Sequence, residues 1–250
     1  MSSKFRDELL ESYSDEELLR HIVASPRHPF PPGEAHGPFP SRIRILSENL
    51  LAKGYDREHL PEVTRAVEVA HRLGIRVPKI LRIVRGEDDW GYCIMERIHG
   101  PTLAEAWAKL GWFTTVRLAL QLRRFVRLLR SVTSTTAGQL VTGRCYSFYL
   151  DDRWGLPDRA SMEDVKSYIQ FWARFTTLKK EVEARDHGRT GPPPRIPPMG
   201  DTFVLVHHDL KARNLVLGPS GQLWVIDWDV AGFYPIYFDQ NLKKFHKNTP

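Results

Sequence analysis

Residues 203–229 read FVLVHHDLKARNLVLGPSGQLWVIDWD. Three apolar runs, Phe203–Val206, Leu215–Leu217 and Leu223–Ile226, are separated by a polar loop, His207 to Asn214, and by the Gly/Pro turn Gly218 to Gln222. The last two runs, flanking such a turn, predict a β-hairpin. One carboxylate, Asp209, stands in the loop ahead of the hairpin. The amide of Asn214 stands where the loop enters it, and a second carboxylate, Asp227, where it ends. A hairpin returns the chain close to its start, so Asn214 and Asp227 are expected to be neighbours.

This set suits phosphoryl transfer. Mg²⁺ is a hard cation that takes a few protein oxygens and shares the rest of its shell with phosphates and water. Asn214 and Asp227 offer such oxygens. Asp209 is then free to accept the proton of an attacking hydroxyl. Lys211 brings a cation into the same loop, where negative charge builds on the transferred group. An ordinary polar turn between core strands is the plain alternative.

The stretch His208-Asp209-Leu210-Lys211-Ala212-Arg213-Asn214, with Asp227 beyond the hairpin, resembles the catalytic loop and metal-binding aspartate of the protein-kinase-like fold. Ile226-Asp227-Trp228-Asp229-Val230-Ala231-Gly232-Phe233-Tyr234-Pro235 is similar to the aminoglycoside-phosphotransferase-like branch, in particular its fungal members. The resemblance spans roughly Arg42 to Asp239. A lone HxD is a weak signal, but HxD, the asparagine and IDW at these distances together are specific.

Composition is that of a soluble globular protein. The 250 residues are 42% hydrophobic and 26% charged, enough to bury a sizeable core. No 18-residue apolar run is present. The first residues, MSSKFRDELLESYSDEELL, are acidic and amphipathic rather than a signal peptide. Two cysteines, Cys93 and Cys145, imply no disulfide framework and fit a reducing, cytoplasmic setting. The net charge of +6 suggests an anionic partner, and ATP, a phosphorylated product or nucleic acid would each satisfy it. No aromatic-basic RNA motif or zinc spacing points to nucleic acid, and no membrane partner is expected.

Along the chain, Asp7 to Ala24 reads as a helix, with Ser14 and Glu17 as a capping box and Leu18, Leu19, Ile22 and Val23 on its apolar face. The Pro/Gly-rich segment 25–41 reads as a loop. Ile43–Leu46 and Asn49–Lys53 read as short strands, Glu62–Leu73 as a helix, and Val77–Ile80 as the start of another strand. Here the resemblance makes Lys53 the lysine that bridges nucleotide phosphates and Glu62 the glutamate that orients it; a surface-turn lysine is the alternative. Glu68 is a rival that fits the spacing less well. Trp90–Met95 reads as a strand. In the family the following segment joins the lobes and holds adenine through its backbone, which gives Met95, Glu96 and Ile98 nucleotide-binding positions. Thr102 is expected to cap a helix. Trp107, Leu110 and Trp112 read as core, Thr115–Ser131 as a helix with an arginine-rich outer face, Tyr146–Leu150 as extended, Ser161–Glu183 as a helix, and 185–198 as a loop.

Three features depart from the family pattern. His208 stands where small-molecule kinases of this branch commonly have glycine, Asp229 follows Asp227 by two, and no GxGxxG is present. The expected fold is α+β and bilobal, protein-kinase-like, with a small sheet lobe over residues 1–98 and a mainly helical lobe over 99–250. The expected function is ATP- and Mg²⁺-dependent phosphorylation of a hydroxyl on a small molecule. The alternatives are a pseudokinase-like binding protein and a kinase-like fold repurposed for other chemistry on a metabolite. No activation segment with an APE-like end follows Asp227, which argues against a protein kinase.

Overall fold

The computed structural model describes residues 5–29, 41–86, 89–146, 155–171 and 200–236. The chain divides into two compact units, one of residues 1–125 with 209–229, the other of 126–208 with 230–250. That partition gathers the 209–229 hairpin with the N-terminal sheet, whereas the proposed lobe boundary after residue 98 follows chain order.

The first unit is built on a four-stranded antiparallel sheet. Its strands are β1 (Ile43–Ile45), β2 (Leu50–Asp56), β3 (Ile80–Arg85) and β4 (Trp90–Glu96), in the order β1-β2-β4-β3. Alternation along β2 sends Leu50 and Ala52 to one face, where they share a core with Leu18 and Ile22 of α1 (Asp15–Ala24). Leu51, Lys53 and Tyr55 therefore project from the other face. The register sets Lys53 opposite Cys93 and Leu51 opposite Met95. Helix α2 (Leu60–Arg72) covers this second face, with Leu60 against Gly91 and Thr64 hydrogen-bonded to the Cys93 thiol.

β2 runs three residues beyond the expected strand end, so Lys53 sits mid-strand rather than in a turn. Gly54 within this strand makes room for a neighbour: a Cβ would lie 2.7 Å from the Trp90 indole nitrogen. The first helix is also shorter than expected. Asp7–Leu9 forms a 3-10 turn, and α1 begins only after Ser14, where the capping box with Glu17 starts it. Between them Tyr13 turns in to stack on Phe5 and meet His21 edge-on. Leu18 and Ile22 are buried, Leu19 is half-buried, and Val23 is exposed. The third strand starts at Ile80 rather than Val77.

Thr102 caps α3 (Leu103–Ala106) in a capping box with Glu105. Helix α4 runs Trp112–Arg130, beginning earlier than the expected Thr115. Leu118, Phe125 and Leu129 form its buried stripe. Trp107 and Trp112, expected in the core, are 59% and 67% exposed, and Leu110 is half-buried. At about 100° per residue, Trp112 lies well off the stripe that Leu118 and Phe125 define. β7 (Leu215–Leu217) and β8 (Leu223–Val225) form the expected hairpin.

The second unit pairs β5 (Thr133–Ser134), β6 (Phe203–Val206) and β9 (Gly232–Tyr234). Phe203, Val204, Val206 and Tyr234 form its core with Ala137, Ala160 and Val165. Residues 162–171 are helical, and Ser161 caps them with Asp164 as expected. The rest of that predicted helix, most of the Tyr146–Leu150 stretch and the 185–198 loop lie outside the described residues. Burial pushes the free thiols of Cys93 and Cys145 up to about 12 and about 11. Among the described residues no helix is long and apolar enough to cross a membrane.

Within the first unit, the segment after β4 is locked to the hairpin. The Leu217 amide donates to the Pro101 carbonyl at 2.9 Å, and Thr102 bridges to Val216. Gly100, at φ +140°, allows this approach, because a Cβ would run into the Leu217 carbonyl. Gly100→Ala should therefore lower stability by about 1–3 kcal/mol, read from urea unfolding midpoints. An unchanged midpoint would show that this contact does not fix the segment.

Candidate active site

Lys53 leaves the middle of β2 and ends between two carboxylates. Its Nζ donates to Asp227 Oδ1 at 2.5 Å and to Asp229 Oδ1 and Oδ2 at 2.8 and 3.0 Å. The side chains are partly shielded, with 14% of Lys53, 34% of Asp227 and 32% of Asp229 exposed. Burial alone would lower the Lys53 pKa, but Tyr55, Asp229 and Asp227 outweigh it and hold it well above its ordinary value. Burial pushes the Asp229 carboxyl up; Lys53 pulls against that push and Asp227 adds to it. The neighbouring Tyr55 phenol is 5.1 Å from Nζ and is itself raised, first by burial. Tyr55 carried no sequence signal, since an aromatic residue in a strand reads as core.

The loop that carries Asp209 is tied together from within. Asn214 Nδ2 donates to the Asp209 carbonyl at 2.8 Å and to its Oδ2 at 2.9 Å. Arg213 reaches the same oxygen at 2.9 Å, and Lys211 pairs with Oδ1. Arg213 is a partner the sequence reading did not single out; its spacing of four from Asp209 was the available signal. A 3-10 turn, Ala212–Asn214, brings these groups round. Both described side-chain bonds of Asn214 use Nδ2, which leaves its Oδ1 to another partner. The Ile226 amide donates to the Asn214 carbonyl at 3.0 Å, so the hairpin sets Asp227 beside Asn214 as its geometry demands.

Backbone strain marks the start of this loop and the end of the hairpin that follows it. His208 has φ 70° and Asp227 φ 69°, left-handed conformations that cost most residues of order 1–3 kcal/mol. Each lies next to, or at, a carboxylate that must be aimed.

The chain also has relatives among known proteins. The model of a phosphotransferase enzyme family, APH, matches residues 50–240. The chain belongs to this family. Among solved structures, the GDP complex of wild-type aminoglycoside 2'-phosphotransferase-IIIa is similar at 16% identity, over 82% of this chain and 68% of that one, with a TM-score of 0.50. The gentamicin complex of APH(2")-IIa aligns at 18% identity over 94% and 73% of the two chains, TM-score 0.46. Spectinomycin phosphotransferase APH(9)-Ia, with ADP and spectinomycin, aligns at 15% over 79% and 61%, TM-score 0.46. No curated protein sequence matches the chain. At 16% identity the likeness to the first of these structures speaks for the fold alone, which is α+β and protein-kinase-like.

Membership of this family explains one departure. Glycine adopts a left-handed backbone without strain, so its usual place at position 208 follows from the φ found there. Histidine is tolerated because its buried ring packs on Tyr234, with centroids 4.5 Å apart.

The donor set also fits a magnesium–nucleotide group. The Asn214 Oδ1 and the Asp227 carboxylate are oxygen donors, the ligands a hard cation takes. An ammonium already lies between the carboxylates of Asp227 and Asp229, so the place draws positive charge. Among the described residues no group of three or more His, Cys, Asp or Glu stands in metal-holding geometry, so His207, His208 and Asp209 do not form such a group.

The other expected nucleotide positions lie in the same unit. Met95 is buried at the end of β4. The Glu96 amide donates to the Lys79 carbonyl at 3.0 Å, which closes the sheet edge. No hydrogen bond among the described residues uses the Ile98 amide. Glu62 is buried in the first turn of α2, on the sheet face that bears Lys53, while the described ion pairs of Lys53 run to Asp227 and Asp229. Glu68 pairs with Arg65 and Arg72 along the exposed side of α2.

Asn214→Ala removes two buried hydrogen bonds to Asp209 and leaves its oxygens less well held. A stability loss of about 1–3 kcal/mol is expected from chemical unfolding. A loss near zero would mean that the asparagine does not organise the loop.

Proposed function

We propose that this chain transfers the γ-phosphate of ATP, with Mg²⁺, to a hydroxyl of a small molecule. The observation that carries this reading is a run of contacts within one compact unit: Lys53 donates to Asp227 at 2.5 Å, Asn214 donates to Asp209 at 2.9 Å, and the amide of Ile226, the residue before Asp227, donates to the Asn214 carbonyl at 3.0 Å. Each has a distinct task. Lys53 offers its ammonium to the phosphates. Asn214 Oδ1 and the Asp227 carboxylate hold the metal ion, which when bound neutralises charge on the phosphate oxygens. Asp209 accepts the proton of the acceptor hydroxyl, and its held orientation makes it a positioned base. Lys211 and Arg213 keep the loop cationic where the transferred group gathers negative charge. Met95, Glu96 and Ile98 line the adenine edge, and Glu62 supports the sheet face from which Lys53 extends.

The family and the fold support a phosphotransferase. The neighbouring structures were solved with GDP, ADP or ATP and with antibiotics such as gentamicin, streptomycin and spectinomycin. Those ligands belong to those proteins; for this chain they favour a nucleotide donor and a small polar acceptor. The net charge of +6 agrees with anionic ligands.

The test is incubation with Mg-ATP carrying a labelled γ-phosphate and a small-molecule extract of the producing cells, followed by mass spectrometry. A labelled metabolite is expected. Asp209→Asn should retain ATP binding and lower turnover about 10²-fold or more. Asp227→Ala should lose Mg²⁺-dependent ATP binding with its fold intact. Tight ATP binding with no labelled product from any extract would contradict transfer and favour a pseudokinase-like binder, and no ATP binding would favour a repurposed fold.

A further inference from the structure

The lysine of the proposed phosphate site is held by an unexpected carboxylate. In the resemblance the orienting acid comes from the helix, as Glu62. Here the described ion pairs of Lys53 go to Asp227 and Asp229, two residues apart in the chain and 174 and 176 residues from the lysine. Asp229 grips with both oxygens, at 2.8 and 3.0 Å, whereas Asp227 uses one.

We infer that Asp229 is the positioning residue for Lys53. The inference rests on the proposed phosphate-binding role of Lys53. The two aspartates have unequal claims on the ammonium. Asp227 ends the hairpin beside Asn214 and is the carboxylate that would hold the metal ion; so engaged, it would no longer neutralise the lysine. Asp229 lies one residue beyond Trp228, whose buried indole donates to the Val225 carbonyl at 3.1 Å and pins this segment to the hairpin. Asp229 therefore remains as the fixed anion that keeps Lys53 extended from β2. A bidentate carboxylate confines an ammonium on a flexible stem far more than a single contact does. Lys53 has three donor hydrogens, so Asp229 can retain it while another hydrogen turns to a phosphate oxygen. Asp229 does not touch the transferred group; it acts through Lys53.

Two readouts test this on the full-length protein. The first is the rate at which Lys53 is labelled by a small amine-reactive reagent, followed by peptide mass spectrometry without nucleotide or metal. Asp229→Asn should label Lys53 at least about fivefold faster than wild type, because an ammonium released from the two-oxygen contact swings out to the reagent more readily. Asp229→Glu should label close to the wild-type rate, and Glu62→Gln should change it by less than Asp229→Asn does. The second is ATP affinity in EDTA by calorimetry. Asp229→Asn should weaken it about tenfold, and Lys53→Met/Asp229→Asn should bind no more weakly than Lys53→Met alone, since the two side chains act as one unit.

Wild-type labelling rates in Asp229→Asn, or a larger effect from Glu62→Gln, would overturn the assignment. So would additive losses in the double variant. Asp229→Ser carries the same expectations should the asparagine variant prove unstable on melting. If wild type binds no ATP, the proposed phosphotransfer fails, and the labelling rates still decide whether Asp229 holds Lys53.

Discussion

The architecture of the first unit depends on one charge cluster. Lys53 reaches from the second strand to Asp227 and Asp229, at the far end of the sequence motif. Two carboxylates this close disfavour each other's ionisation, and partial burial deepens the penalty. The ammonium relieves both effects and leaves one net negative charge at the hairpin end. A strand that alternates core and cleft residues delivers the lysine; a hairpin with a strained last residue delivers the aspartates. Breaking either would leave charge without its partner, the costly half of any buried pair.

The same economy governs the loop before the hairpin. Asp209 is almost wholly buried yet surrounded by Asn214, Arg213 and Lys211. The residue just before it, His208, has a left-handed backbone. Strain at His208 and Asp227 bounds the segment on which proton acceptance and metal binding would depend. The family places glycine where the first strain falls, whereas this chain compensates with aromatic packing on Tyr234.

What could be read from the sequence followed the range of the interactions. The relation of Asn214 to Asp227 was legible because a hairpin fixes it locally. The caps at Ser14, Thr102 and Ser161 were legible because each is closed by a side chain three residues on. The partner of Lys53 was not, since it lies more than 170 residues away and only the fold brings it near. Asp229 was visible as an extra carboxylate, though nothing local says that it turns to a lysine rather than to a metal ion or a turn. Trp107 and Trp112 misled because hydrophobicity alone does not tell which side of a helix meets the core.

One spectrum would test the account most directly. Mn²⁺ replaces Mg²⁺ at oxygen-ligated nucleotide sites, and its pulsed electron-nuclear resonance reports the nuclei bonded through its ligands. The protein, carrying ¹³C-labelled aspartate, is mixed with Mn²⁺ and ATP. The account predicts ³¹P couplings from phosphate and ¹³C couplings from a carboxylate on the same ion, with the ¹³C signal lost in Asp227→Ala. Phosphorus couplings without carbon, indistinguishable from Mn-ATP in buffer, would contradict the assignment of Asp227 and of the cleft built around it.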